Sequence, residues 1–494
     1  MSVNPKQNKK YQNFNLLKKI TKSFTLSKFI LIKGSLGVAT HQLWLLYLGY
    51  GVLSGCGVGI AYTPPLQALI EWFPDRRGLA SGLTIGGFGS GAIAFAPISH
   101  YLIKTFERLP EFAGAFGSIQ TITQNGRLFV DNGGLLREVV LANAADLAKI
   151  GGHNLLEGFY YVGTGATGVA PTLAIMGLMY SSIMIASAFT IRRPLPGYKP
   201  AGWEPKPVAG VATALSGNVH VNRVMYTPQY WLLAGTFCCL ATGGIAVFSV
   251  AKPMMLDVFG SNLPKVVTAS FASGFVLMLS AANLFGRILW ALLSDKIGRR
   301  KTFVLFTAGS VPLYLILPTL VSAVVTTGSI VSLYGFIACT VVSISIMGGC
   351  YAIIPAYEAD LFGSKYVGPI HGRFLLASSV AALSGPSILL NLRNRAEITA
   401  IQDLLAKCDA EKFRNLFGVD LSQADTLIQA KTLTINKLMK LVPEGTINPT
   451  PFLYDSTMYT MAALMTLAAA SHYLVKPVNK KYFEVIEQKP EEKK

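Results

Sequence analysis

Acidic residues are scarce in this chain: 25 Asp and Glu stand against 43 Lys and Arg in 494 residues. Charge of either sign is thin as well, at 14% of residues, where soluble domains carry roughly 25%. With 51% hydrophobic residues and a mean hydropathy of +0.45, that scarcity excludes a soluble globular protein and leaves a polytopic membrane protein. Cysteine is sparse too. Cys56, Cys238, Cys239, Cys339 and Cys350 fall within apolar runs and Cys408 stands alone in a loop, which excludes a disulfide framework. No His, Cys, Asp or Glu spacing suits a metal, and no nucleophile elbow occurs. The glycine-rich run Gly86-Gly-Phe-Gly-Ser-Gly91 lies inside an apolar run with no strand before it, so it is not a phosphate loop. The chain therefore reads as no enzyme, with no cofactor and no metal. A net charge of +18 invites nucleic acid as a partner, yet most of the excess lies in short connections between apolar runs. The positive-inside rule predicts that pattern, so the expected partners are a lipid bilayer and a small solute, not nucleic acid.

Apolar runs occur at about 29–40, 42–64, 78–103, 170–191, 229–250, 270–293, 303–325, 328–352, 370–391 and 453–475. A bilayer-crossing helix needs ~20 apolar residues. Residues 29–64 thus hold one full span and a fragment interrupted by Lys33, and the chain is expected to have nine complete spans and one short one. The first 28 residues hold seven lysines and no acid, with no small-residue cleavage site after an apolar core, so no cleavable signal is expected.

Basic residues in the N-terminal tail, the Asp75-Arg76-Arg77 turn, the 192–206 segment and the 295–301 turn mark those connections as cytoplasmic. A multi-pass protein with both termini cytoplasmic follows, expected in the plasma membrane. The 104–169 and 392–452 insertions fall on the other side, with near-balanced charge; Leu135–Ile150 and Ala396–Leu416 within them read as helical. The expected organisation is a basic tail (1–28), an N-terminal helical bundle (29–191), a proline-rich linker (192–228), a C-terminal six-helix bundle (229–475) and a charged tail (476–494).

The most informative stretch runs from Asn283 through Arg287 to Asp295-Lys-Ile-Gly298-Arg299-Arg300-Lys301. Arg287 lies eight residues inward from Asp295, about 12 Å of helix rise, and so near the middle of a ~30 Å hydrocarbon layer. A charge there is costly and is a functional-site candidate by default. The apolar runs hold no Asp or Glu in their interiors, Glu358 included among acids at span ends, so an anionic solute is the expected partner. Asn283 and Ser280 lie one and two turns away on the same face. His371 reads as an interfacial histidine with no paired acid, and Arg373 as a residue that snorkels to the interface. Glycines at Gly51, Gly55 and Gly59, and again at Gly78, Gly82 and Gly86, form stripes that permit close helix packing.

The 295–301 turn resembles the basic signature of the major facilitator superfamily, with Ala291 in place of its leading glycine. Trp72-Phe-Pro-Asp-Arg-Arg-Gly78, Leu48–Tyr62, Pro194–Trp203, Thr227–Trp231 with Ser249–Met254, and Pro355–Gly368 resemble the oxalate/formate antiporter branch, close to the monocarboxylate carriers. The resemblance implies an all-α bundle, whose first two helices this chain lacks on that mapping, and a gating latch at Asp295, Gly298, Arg299 and Arg300. It also implies two site cations, an arginine matched by Arg287 and a lysine whose place is taken by Ser378. One cation fits a monoanion better than a dicarboxylate. The expected function is secondary transport of a small organic anion, a monocarboxylate, by antiport or symport. Two alternatives stay open: a non-transporting membrane protein or sensor on the same fold, and a transporter of a neutral solute in which Arg287 is structural.

Overall fold

The structure, a computed structural model, describes residues 34–124, 127–142, 155–195, 198–202, 215–417, 433–443 and 445–485, with isolated positions between. Its main helices are α1 (Leu43–Trp72), α2 (Arg77–Phe106), α3 (Val169–Thr190), α4 (Pro228–Ser249), α5 (Ala251–Phe259) and α6 (Ala269–Ile297). They continue as α7 (Arg299–Thr327), α8 (Ile330–Phe362), α9 (Val367–Leu405), α10 (Ala410–Phe417) and α11 (Asp455–Tyr473). Eight of them, all but α5, α10 and α11, are long and apolar enough to cross a membrane by length and composition. Helix is the natural form of such runs, because a segment in lipid must satisfy every backbone N–H and C=O internally. The last apolar run does form a helix, α11, of 19 residues, but it is not among these eight. Of the first run only 34–39 is described as helical. It ends in a turn at His41, whose φ of 54° is a left-handed geometry that interrupts a helix. Lys33 lies outside the described residues.

The chain divides into two compact units, Met1–Tyr62 with Gly91–Arg192, and Thr63–Ser90 with Arg193–Lys494. In the first, the connection after α2 corrects the sequence reading. Leu135–Ala142 is a strand, not the start of a helix. β1 (Glu107–Arg108) pairs with β7 (Ala166–Thr167). Between them β2 (Phe112–Gly114), β3 (Ile122–Gln124), β4 (Arg127–Asn132), β5 (Leu135–Ala142) and β6 (Gly158–Tyr161) form an antiparallel sheet in the order β2-β6-β5-β4-β3. Leu, Arg, Glu and Ala in β5 suit a helix in isolation. The central place of the strand decides otherwise: Leu128 pairs with Val139 on one side and Val140 with Tyr160 on the other. Val130, Val139 and Phe159 are the small buried core of this sheet. Residues 143–146 and 148–150 of the expected helix lie outside the described residues.

The second unit holds the main apolar core, drawn from α4 to α11. Its second insertion is helical over most of Ala396–Leu416, as α9 extends to Leu405 and α10 follows. The tightest approach is between α6 and α8. A Cβ on Gly286 would overlap the Ser345 backbone and one on Gly348 would overlap the Asn283 carbonyl, so the two backbones touch along this line. In the linker, 192–195 is non-helical, and β8 (Leu215–Val219) pairs antiparallel with β9 (Phe483–Val485) near the end of the chain.

Candidate functional site

Arg287 and Asn283 on α6 are each 9% exposed, so both polar side chains are committed to the protein interior. Their spacing of four puts them one turn apart on one face. Arg287 Nε donates to Asn283 Oδ1 at 3.1 Å, and Nη1 donates to the Ile85 carbonyl of α2 at 2.6 Å. Gly89 on α2 leaves room for the guanidinium, since a Cβ there would lie 3.1 Å from its Nε. On α8 the Tyr351 ring centre is 6.0 Å from the guanidinium carbon, at the outer reach of cation–π attraction. The Tyr351 hydroxyl and Ser378 Oγ of α9 are 2.7 Å apart, and Phe237 of α4 meets the Tyr351 ring edge-on at 4.8 Å.

Arg287, Asn283 and Ser378 therefore come together, with Tyr351 as the bridge. Ser280 does not join them; its hydroxyl donates to the Val276 carbonyl on its own helix. Tyr351 is the member that sequence reasoning missed. Its signal was a phenol inside the apolar run Gly348-Gly-Cys-Tyr-Ala-Ile-Ile, because a buried Tyr hydroxyl normally finds a polar partner.

At the end of α6 the Asp295 carboxylate accepts from the backbone N–H groups of Gly78 at 3.1 Å and Leu79 at 2.9 Å, capping α2. Arg299 pairs with Asp295 and lies 3.6 Å from Asp360, which in turn pairs with Arg77 at 3.3 Å. Gly298, at φ +91°, makes the turn into α7. Of the four latch candidates, Asp295, Gly298 and Arg299 belong to this cluster, whereas Arg300 is exposed.

The two glycine stripes differ. A Cβ on Gly82 would lie 2.6 Å from the Ala291 Cβ and 2.8 Å from the Arg287 carbonyl, and one on Gly78 would lie 2.6 Å from Asp295. Gly86 has ordinary contacts, from 3.6 Å, with Ile288 and Leu284. Around Gly51, Gly55 and Gly59 a Cβ would meet nothing within 4 Å, so the expected helix packing is not found at this stripe among the described residues.

Two further expectations are corrected. Glu358 lies inside α8, not beyond a span end, and it is 0% exposed. His371 has an acidic partner after all: its Nδ1 is 3.1–3.2 Å from both Glu358 carboxylate oxygens. The miss arose because α8 runs ten residues past the apolar stretch that ends at 352. Arg373 donates to the Val221 carbonyl at 2.8 Å and the Asn222 side chain at 3.1 Å, tying α9 to the linker.

No family model matches the sequence. The chain is 28% identical over 338 residues to the oxalate:formate antiporter of Oxalobacter formigenes, covering 67% of this chain and 59% of that protein. It is 24% identical over 364 residues to the uncharacterized major-facilitator-type transporter YhjX of Escherichia coli, covering 73% and 69%. With mouse monocarboxylate transporter 11 it shares 28% over 299 residues, 52% of this chain and 62% of that one. The matches thus span less than two thirds of the antiporter and of the monocarboxylate transporter. Among solved structures, the E. coli fucose:proton symporter aligns with a TM-score of 0.49 at 10% identity, over 93% of this chain and 84% of its own. This chain, mostly helical and rich in membrane-spanning segments, resembles transporters of the major facilitator superfamily in the branch of the oxalate/formate antiporters and monocarboxylate carriers.

Proposed function

We propose that the protein carries a small organic anion, a monocarboxylate, across a membrane by secondary active transport with alternating access. The observation that carries this reading is the buried Arg287, steadied by Asn283 and facing the Tyr351–Ser378 pair. A guanidinium offers a planar fork that matches a carboxylate, and the Tyr351–Ser378 hydroxyl pair, with one O–H spent within it, keeps one donor for the rest of a small hydroxy- or keto-acid. A serine at 378, where the resemblance implies a lysine, leaves one cation at this place and favours a single negative charge. Arg287→Lys keeps charge but loses the fork, so uptake of labelled lactate into proteoliposomes should weaken yet persist. Arg287→Gln should abolish it, and Ser378→Lys should shift preference toward oxalate.

A second reading has its own support. Arg287 bonds Asn283 and the Ile85 carbonyl, as a structural tie between α6 and α2 would, with a neutral solute as cargo. Undiminished lactate uptake in Arg287→Gln would favour that reading. Wild-type protein that inserts but moves none of these anions would favour a sensor.

The insertions 104–169 and 392–452 are proposed to face away from the cytoplasm, on their balanced charge. Cys408 provides the test, because an impermeant thiol reagent should reach it from the non-cytoplasmic side. Burial, and then the Asp409 carboxylate, push its thiol up, so labelling should speed up as pH rises well above neutrality. Labelling only from the cytoplasmic side would invert the topology.

A further inference from the structure

The central linker and the C-terminal tail close on the same turn. β8 of the linker pairs antiparallel with β9 of the tail, Val219 opposite Phe483, and these two residues are buried at 0% and 5% exposure. Together the strands grip the turn 363–366, which joins α8 to α9. From the tail, the Glu484 carboxylate accepts from Lys365 Nζ at 3.0 Å and from the Tyr366 hydroxyl at 2.9 Å. From the linker, Asn218 Oδ1 accepts from the Lys365 backbone N–H at 3.1 Å, and the His220 ring meets the Tyr366 ring edge-on at 5.3 Å. Gly363, at φ +86°, brings the turn so close to β8 that a Cβ there would overlap Asn218 and the Gly217 carbonyl. Upstream, the tail is tied down where Gln229 of α4 donates to the Pro477 carbonyl at 3.1 Å.

The gripped turn is the outer end of a short lever. Pro355 lies inside α8 and has no N–H, so the Tyr351 carbonyl cannot receive its usual helical bond from position 355. The helix is weakened at Tyr351 itself, and 355–362 is the segment able to swing about that point. Tyr351 lies eleven residues before the end of α8, and its partner Ser378 lies eleven residues after the start of α9. Movement of the turn is therefore carried along about 16 Å of each helix to the Tyr351–Ser378 bond. Asp360, on the same segment, is paired with Arg77 and Arg299, so the Asp295 cluster holds the lever as well.

We propose that β9 is a releasable strap. Docked, it holds the α8–α9 turn and slows the conformational step of transport; undocked, it lets 355–362 swing and the Tyr351–Ser378 pair open. A two-stranded pairing standing alone is marginal in water. The Lys365 and Glu484 side chains are 55% and 23% exposed, and an ion pair so wetted biases a position without locking it. This inference rests on the transport reading and adds a control element to its site.

The experiment uses the full chain in proteoliposomes and exchange of labelled lactate. The double variant Lys365→Cys with Glu484→Cys lacks the ion pair and should exchange about two- to fivefold faster than wild type, the range that an exposed ion pair commands. Bridging the two introduced thiols with a short reducible bifunctional reagent should drop exchange below the wild-type rate, and reduction should restore it. Wild type given the same reagent controls for the native cysteines. A second arm needs no transport. The labelling rate of Ser378→Cys by a small water-soluble thiol reagent, read at that position by mass spectrometry, should rise when Glu484→Ala is added. The proposal is overturned if bridging leaves exchange unchanged, or if Glu484→Ala leaves the labelling rate unchanged. Slower exchange in the unbridged variant at normal insertion would make β9 a prop for the fold and overturn it too. Absence of exchange in wild type would overturn the transport reading beneath it, while the labelling arm still decides whether the strap holds the hairpin.

Discussion

The stripes Gly51-Gly55-Gly59 on α1 and Gly78-Gly82-Gly86 on α2 have the same spacing and the same implied purpose, yet their surroundings are opposite. On α2 the stripe lies against α6, and its first two members are so close to Ala291, Asp295 and the Arg287 carbonyl that no side chain fits. On α1 the same spacing faces nothing within 4 Å among the described residues. Glycine at every fourth position is a permission for backbones to approach, and the facing helix decides whether they do. On α6 the facing residues allow the approach, since Ala291 is small and fully buried, and Asp295 offers oxygens to the α2 backbone at the end of the stripe. The consequence reaches the candidate site, because the backbone that Gly82 touches is that of Arg287.

The largest effect should come from breaking that asymmetry directly. Gly82→Ala puts a methyl within overlap distance of Ala291 and the Arg287 carbonyl, and should cost about 1–3 kcal/mol, as overpacking of a tight core does. It should also displace Arg287 and depress anion uptake beyond what the lost stability explains. Gly55→Ala adds the same methyl in open space on a helix interior, where alanine is favoured over glycine by about 1 kcal/mol, and should leave the protein as stable as before or more so. Thermal unfolding in detergent separates the two. Equal Tm changes for both variants would remove the distinction.

The sequence made the membrane body legible because lipid leaves a backbone few choices. An apolar run of sufficient length becomes a helix whatever its neighbours do. Arg287 and Asn283 were legible together for a related reason: four residues apart on one helix, they meet without help from the rest of the fold. Tyr351 and Ser378 sit on different helices, and no local spacing announces their hydrogen bond. Glu358 and His371 are 13 residues apart across a turn, so their pairing depends on where α8 stops, and apolarity marks that boundary poorly. The sheet after α2 was the least legible part. A segment such as Leu135–Ala142 has helix-compatible residues, and its strand identity is conferred by partners on both sides, one of them some twenty residues away.

A smaller effect should follow from loosening the end of the packed stripe without filling it. We propose that the Asp295 cluster is a gating latch, and Asp295→Asn is the mildest way to weaken it. Asparagine keeps one oxygen that can accept from Gly78 or Leu79 but loses the charge that strengthens both bonds and holds Arg299. Removing a side-chain cap outright costs a helix ~1 kcal/mol, and a retained amide oxygen keeps the loss at or below that level. Gly78 and Gly82 would still fit against α6, so the proposed anion site at Arg287 should persist. Transport should therefore slow while equilibrium binding of lactate, measured by calorimetry on the purified protein, changes little. Keeping a backbone contact without the charge thus separates the cap from the latch. If Asp295→Asn instead abolishes binding at normal expression, the charge cluster is part of the anion site itself and the latch reading fails.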